Sequence, residues 1–380
     1  MAGTSVEGLF PERQVVDVAS LAASQQAGCA ERRQHLAEAL SAAGCAGALL
    51  TRPLHLTYLF GLTGWRSVPA AGFIGADGRA ALSVGESASD VAYGGPVLRF
   101  ADSYFTTTAE GRQASALATL ADHVQPTGST ATDTGSSSVP APVSVTGIIA
   151  GMRRRKAEDE LAFLTAAVRA NEAGYRALAP AVRPGLFETE ALALFQAAVT
   201  IAGGDAAGEL GNDFRGGAPG GRPRPVPLVA GDLLPVDAGA VFRGYYSDMC
   251  RTFAVSGTRS PDQDRAFGLV AEALERAEAL VRPGVRCGDA YAEIAGFLNS
   301  RHPDWRFNHH LGHGFGLEPV EAPFINAGSA HVFEEGDTIT LEPGLYGGDL
   351  RAGVRLEQDY VVEAGGLRRI STLPLDLDAA

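Results

Sequence analysis

The chain of 380 residues is 46% hydrophobic and 20% charged, which excludes a disordered chain and, at this length, makes two domains the expectation. Its net charge of -13 argues against a nucleic-acid partner, which needs a basic face, and suits a site that holds cations on carboxylates. Four cysteines with no Cys-x-x-Cys pair exclude a disulfide scaffold and a zinc ribbon, and a reducing cytoplasm is the expected compartment.

No apolar run approaches a membrane span, so no membrane partner is expected. Ala27-Gly28-Cys29 mimics the end of a lipoprotein signal, but the basic and apolar regions that precede such a site are missing. Residues 31–43 carry apolar side chains at helical spacing and stop at Gly44, which predicts a helix. Residues 46–51 read as a buried strand. Residues 71–74 and 80–84 flank Asp77-Gly78, a hairpin signal, and a further helix is predicted over 109–124. The stretch 126–142, rich in Ser, Thr, Gly and Pro, reads as a linker or as a surface loop. The charge run 152–160 opens an amphipathic helix over 157–178, and the second domain is taken to begin near Gly151. The expected domains are therefore 1–150 and 151–380. Lys156 is the only lysine, which reads as genome composition.

The second domain carries an internal repeat. Arg183-Pro-Gly185 and Arg282-Pro-Gly284 each lie between two helical patterns, the later helices being predicted at 188–202 and 289–300. Downstream come Gly231-Asp232, leading to Asp237, and Gly336-Asp337, leading to Glu342. Two related halves, each ending in a strand with a carboxylate, are the natural reading of such a duplication.

The stretch 236–248 reads as a hairpin turning at Arg243-Gly244. In that register Asp237 faces Cys250, and Asp237 and Asp248 are diagonal neighbours on one face, roughly 7 Å apart. Residues 338–342 and 353–362 read as a second strand pair, with Glu357 sharing a face with Arg355 and Asp359. Carboxylates gathered on a buried face repel and are costly to desolvate, so arginines or metal ions must offset them. His309, His310 and His313, three imidazoles within five residues among glycines, shift the balance to metal. Imidazole with four carboxylates suits manganese, with cobalt, iron or zinc as alternatives, better than calcium or magnesium.

Residues 237–255, with Gly244-Tyr245-Tyr246-Ser247-Asp248, resemble the first metal motif of the pita-bread metallopeptidases: aminopeptidase P, prolidase, methionine aminopeptidase and creatinase. Gly312-His313-Gly314-Phe315-Gly316, Leu341-Glu342-Pro343-Gly344 and Gly353-Val354-Arg355-Leu356-Glu357 are similar to the remaining motifs, in order. Tyr58-Leu59-Phe60-Gly61 resembles part of a creatinase-type N-terminal domain. The resemblance implies an α/β (α+β) chain in which a creatinase-like N-terminal α/β domain precedes a pseudo-twofold pita-bread catalytic domain. It implies two divalent ions on Asp237, Asp248, His313, Glu342 and Glu357, with Asp248 and Glu357 bridging them. It further implies that Glu342 takes the proton of a metal-bridging water and that His309 contacts the substrate carbonyl. Arg355 would orient Glu357 or the substrate. A homodimer is implied too, with Tyr58 and Trp65 either at the rim of the partner's site or in the core. Tyr245 reads as packing, and Cys250 as a small buried residue.

Two departures bear on the substrate. Proline-specific relatives usually carry a histidine seven residues after the ligand histidine, where this chain has Val320, and another upstream of the first Gly-Asp, where 212–230 has none. Arg222 or Arg224 is placed in that space, so His309, His310, Val320 and Arg222 are the expected substrate contacts. The expected function is Xaa-Pro dipeptidase or aminopeptidase chemistry on a short peptide. The alternative is the same metal centre acting on a small non-peptide amide or amidine, or as a lyase. A third reading, a binding module on this fold, is opposed by the complete ligand set.

Overall fold

The computed structural model describes residues 18–377 apart from 64–68, 87, 89, 90, 92, 102–109, 126, 127, 135–142 and 204–212. The chain divides into two compact units. Asp17–Arg153 with Ala157–Asp159 make one, and Arg154–Lys156 with the residues from Glu160 onward belong to the other. No helix among the described residues is long and apolar enough to cross a membrane.

The first unit runs α1 (Val18–Ala42), β1 (Gly47–Leu50), α2 (Pro53–Phe60), β2 (Ala70–Gly75), β3 (Ala80–Gly85), β4 (Val97–Phe100), α3 (Arg112–Val124), β5 (Thr130–Thr132) and α4 (Val145–Arg154). Its sheet has the order β4-β3-β2-β1-β5. The β2–β3 hairpin turns at the expected place, with Gly78 at φ 83°, a conformation that favours glycine. Ala116, Leu120 and Val124 of α3 pack on Phe73, Ala81 and Phe100 of the sheet.

Two expectations change here. The helix predicted from residue 31 begins no later than Val18, running through Gly28 and Cys29. A Cβ on Gly28 would come within 2.4 Å of the Asp159 carboxylate, so glycine is kept for space. The Ser/Thr-rich stretch also contains β5, paired in parallel with β1, so it is neither wholly linker nor wholly loop; residues 126, 127 and 135–142 of it lie outside the described set. Tyr58 is buried in this unit, with the Arg32 guanidinium 5.0 Å from its ring centre, and is a core aromatic. Trp65 lies outside the described residues.

The second unit contains α5 (Glu158–Leu178, whose first residues group with the other unit), α6 (Glu188–Gly203), β6 (Leu233–Ala238), β7 (Val241–Phe242), β8 (Tyr245–Tyr246), β9 (Met249–Ala254), α7 (Pro261–Leu280) and α8 (Cys287–Asn299). It continues with β10 (Gly312–Gly314), β11 (Glu321–Ile325), β12 (Thr338–Leu341), β13 (Gly344–Gly347), β14 (Ala352–Arg355), β15 (Gln358–Glu363) and β16 (Gly366–Arg369). The sequence repeat reappears in the backbone. Gly185 (φ 89°) donates its N–H to Leu228 O at 3.0 Å, and Gly284 (φ 90°) donates to Phe333 O at 2.9 Å. Two residues on, Phe187 bridges Pro227 and Arg286 bridges Val332. Gly231 and Gly336 turn the chain into β6 and β12 with φ 83° and 92°. Asp232 O then accepts from Val255 N, and Asp337 O from Val362 N.

The core of the second half gathers α7, α8 and the sheet β11-β10-β12-β15-β16 around Trp305, Leu341 and Leu345, all fully buried. Where one strand was expected over 353–362, there are two. β14 pairs with β13 and β15 pairs with β12, and the chain changes sheets at Leu356-Glu357. Pro343 is where β12 gives way to β13; its carbonyl accepts from Leu356 N, and Cys250 O accepts from Glu357 N.

Candidate metal centre

The first carboxylate pair stands on the expected hairpin. Asp237 is opposite Cys250 in the β6–β9 ladder, and Val241 opposite Tyr246 in β7–β8 keeps the same register. Arg243 (φ 49°) and Gly244 (φ 88°) form the two-residue turn. Between the two ladders a Cβ on Gly239 would come within 2.2 Å of Ser247 O, so the strands approach closely just where Asp248 leaves the ladder. The second pair comes from the end of β12 (Glu342) and from the sheet crossing (Glu357). His313 sits in β10, between β11 and β12.

These elements bring Asp237, Asp248, His313, Glu342 and Glu357 onto one cavity of about 380 Å³. Donor atoms of three overlapping sets, His310/His313/Glu342, Asp248/His313/Glu357 and Asp237/Glu342/Glu357, each fall within 4.8 Å of one another. His313 Nε2 is 3.6 Å from Glu342 Oε1 and 3.8 Å from Asp248 Oδ2. Its Nδ1 lies 3.0 Å from Gly314 O. A carbonyl only accepts, so the proton belongs on Nδ1, and Nε2 faces the carboxylates with its lone pair.

Burial pushes the Asp237 carboxyl up to about 6 and those of Asp248 and Glu357 well above the carboxylate range, the neighbouring acids adding to it. Glu342 goes the other way: burial opposes ionisation, but the hydrogen bond from His310 Nε2, at 2.8 Å, and the nearby imidazoles hold it below its ordinary value. Glu357 Oε2 is buried without a hydrogen-bond partner. A crowded acid set, an orphaned buried oxygen and an aimed imidazole lone pair are what divalent cations would satisfy, so the residues fit a metal centre.

Arginine meets only part of the charge. Arg355 Nη2 donates to Asp237 Oδ2 at 2.6 Å and to Asp213 Oδ2 at 2.7 Å. The sequence reading missed Asp213, which stands in a glycine-rich segment without motif character. It also missed Tyr346, whose hydroxyl lies 2.9 Å from His309 Nε2 and 3.4 Å from Arg355 Nη1. Tyr346 follows Pro343-Gly344 in β13, so its position beside a candidate ligand was the available signal. His309 Nδ1 donates to His310 O at 2.8 Å, so its Nε2 accepts from Tyr346; burial brings its pKa down to about 4.

Among the other expected contacts, His310 and Val320 line the cavity and Val320 is 52% exposed. Arg222 is exposed and is not on the cavity wall, and Arg224 is held by Glu188 at 2.6 Å; Pro219 and Gly220 line that part instead. Asp359 is not on the wall either; the turn of the chain at Glu357 separates it, and its carboxylate accepts from Asp248 N at 3.3 Å. Tyr245 is buried against Phe163, a packing residue. Cys250 is fully buried, and burial pushes its thiol up, away from reactivity.

Comparison with known proteins places this geometry. The sequence profile of metallopeptidase family M24 matches residues 162–364, more than half of the chain. The chain belongs to metallopeptidase family M24. A family M24 chain of this kind is similar to the putative dipeptidase YkvY of Bacillus subtilis (strain 168), 31% identical over 225 residues, covering 58% of this chain and 61% of that protein. The match thus spans about three fifths of that relative's length. It is 28% identical over 236 residues to an Xaa-Pro dipeptidase of Pyrococcus horikoshii, covering 61% of this chain and 67% of the other. The structure of an Xaa-Pro dipeptidase from Bacillus anthracis superposes with a TM-score of 0.73 at 23% identity, over 91% of this chain and 99% of that one. The mixed α/β fold is the pita-bread fold of that family.

Proposed function

We propose that this M24 chain is a peptidase that holds two divalent ions, manganese foremost, and cleaves short peptides on the amino side of proline. The observation that carries the reading is the convergence of Asp237, Asp248, His313, Glu342 and Glu357 on one cavity, where four carboxylates, two of them buried and two largely so, have a single guanidinium, that of Arg355, among the described lining residues. Ions held by this set would polarise a carbonyl and make a water acidic enough to serve as nucleophile at neutral pH.

The chain's own residues supply the rest. Glu342 stays ionised at neutral pH and is the proton acceptor, oriented by His310. Tyr346 holds its hydroxyl proton on His309 Nε2 at 2.9 Å, and that O–H, turned from His309 towards the substrate, is the donor for negative charge that develops on the substrate carbonyl, with His309 positioning it. Arg355 fixes the carboxylate of Asp237. The names of the Bacillus and Pyrococcus relatives support the peptide substrate.

A second reading keeps the metal centre and replaces the peptide by a small non-peptide amide or amidine. The neutral wall of Gly220 and Val320 favours it. The deciding experiment is manganese-dependent release of free amino acid from a panel of Xaa-Pro dipeptides, their amides and tripeptides, with Glu342→Ala as control. Release that vanishes in the control supports the peptidase reading. No release from protein carrying two equivalents of metal overturns it in favour of the second.

A further inference from the structure

A dipeptide cut at this centre cannot keep its C-terminal carboxylate outside the cavity, because that group lies only about one residue length, ~3.8 Å, beyond the scissile bond. The charges on the wall therefore decide whether it is accepted. Four acids, Asp237, Asp248, Glu342 and Glu357, belong to the proposed ion set, which leaves Asp213 and Arg355 as the remaining fixed charges among the described lining residues. The two are engaged with each other at 2.7 Å, and Arg355 also donates to Asp237 at 2.6 Å, so the guanidinium is neutralised twice over. Asp213 Oδ1 accepts from Gly221 N at 2.6 Å, yet its side chain stays 29% exposed, so it carries negative charge to the wall. Beside it the wall is apolar: Pro219, Gly220 and the half-exposed Val320.

We infer that this wall selects substrates whose end beyond the scissile bond is uncharged, such as amidated or longer peptides, and turns away a free C-terminal carboxylate, with Val320 as the specificity-determining position. The inference rests on the peptidase reading above. A carboxylate here would leave water for an apolar surface and a like charge; beyond the ions at the scissile bond, the cationic side chains among the described lining residues are already held, Arg355 by Asp213 and Asp237 and His310 by Glu342. Val320, being exposed, tolerates replacement by a larger polar side chain.

The test compares alanyl-proline with alanyl-prolinamide on the manganese-loaded protein and on its Val320→Arg variant. The expected kcat/KM for the amide exceeds that for the acid by roughly tenfold or more, the scale of one unmatched buried charge. In Val320→Arg the ratio falls by about the same factor, because the added guanidinium can take the carboxylate. The ratio is read within one protein sample, so a loss of folded protein does not move it. A wild-type preference for the free acid, or a ratio unchanged by Val320→Arg, overturns the inference while leaving the peptidase reading intact. A protein that cleaves neither substrate overturns both.

Discussion

Arg355 Nη2 stands 2.6 Å from Asp237 Oδ2, so the one guanidinium among the described residues of the cavity wall is committed to a carboxylate that also faces Glu342 and Glu357. The pair is largely buried, its side chains 11% and 20% exposed, and breaking it from one side leaves a charge without its partner. Arg355→Gln is expected to destabilise the metal-free protein by about 3–5 kcal/mol. The loss should be smaller in manganese, because bound ions would take over part of the compensation. Urea unfolding with and without chelator measures both. An equal loss in the two conditions would show that the guanidinium and the ions do not share this task.

The raised carboxyls give the metal-free protein a defined pH response. Asp237 titrates at about 6 in the folded chain, above the ordinary aspartate value, because of burial; Asp248 and Glu357 are shifted the same way. The folded state therefore binds protons that the unfolded state has released. Their contribution is complete below the ordinary carboxylate range and is lost as pH rises through the folded pKa, to about 6 for Asp237. In chelator, stability attributable to Asp237 should fall between about pH 4 and pH 6, and Asp237→Asn should reduce that slope. With saturating manganese the trend should reverse, since ligands must lose protons to bind. Melting temperature against pH, read in both conditions, decides it.

Tyr346→Phe removes one hydroxyl and keeps the ring. It breaks the contact to His309 Nε2, leaving His309 Nδ1 on His310 O. On the proposed mechanism kcat falls by about 10²–10³, the scale of one transition-state hydrogen bond, while metal content stays the same. Unchanged kcat on an Xaa-Pro substrate would remove Tyr346 from the chemistry.

The duplicated turns offer a prediction about stability alone. Gly185 and Gly284 share φ near 90°, and a Cβ built on either meets no atom within 4 Å. The cost of alanine is thus backbone strain without a clash, about 1–2 kcal/mol at each position. The two variants should lower the melting temperature by similar amounts. A Gly239→Ala chain, whose new Cβ would press to within 2.2 Å of Ser247 O, should lose more.

What the sequence disclosed and what it hid follow from range. The Arg-Pro-Gly turns, the Asp77-Gly78 hairpin and the Asp237–Cys250 register are written in neighbouring residues: a glycine that must turn, a two-residue periodicity, a proline that ends a strand. Those signals carried over to the structure with little change. Asp213 was hidden because its role depends on Arg355, far along the chain, and its own glycine-rich segment shows no pattern. Arg222 was placed on the cavity wall by the same shortage, since position alone cannot show that Pro219 and Gly220 are the residues turned inward. The single strand expected over 353–362 failed because its break is imposed by partners at Cys250 and Pro343, which alternation within the segment cannot reveal. β5 was missed because three residues of strand formed against β1 leave no periodicity to read.

The duplication has a consequence for how the protein comes into being. Asp237 and Asp248 are synthesised well before His313, Glu342, Arg355 and Glu357, so a nascent chain holds two clustered acids while Arg355 and His313, which stand beside them in the folded structure, are still to come. The first half cannot close its acidic face by itself, and the second half has no surface on which to complete its own set. The halves should therefore mature as one cooperative event late in synthesis, and a chain divided between β9 and α7 should yield two inert fragments that regain metal capture only when produced together.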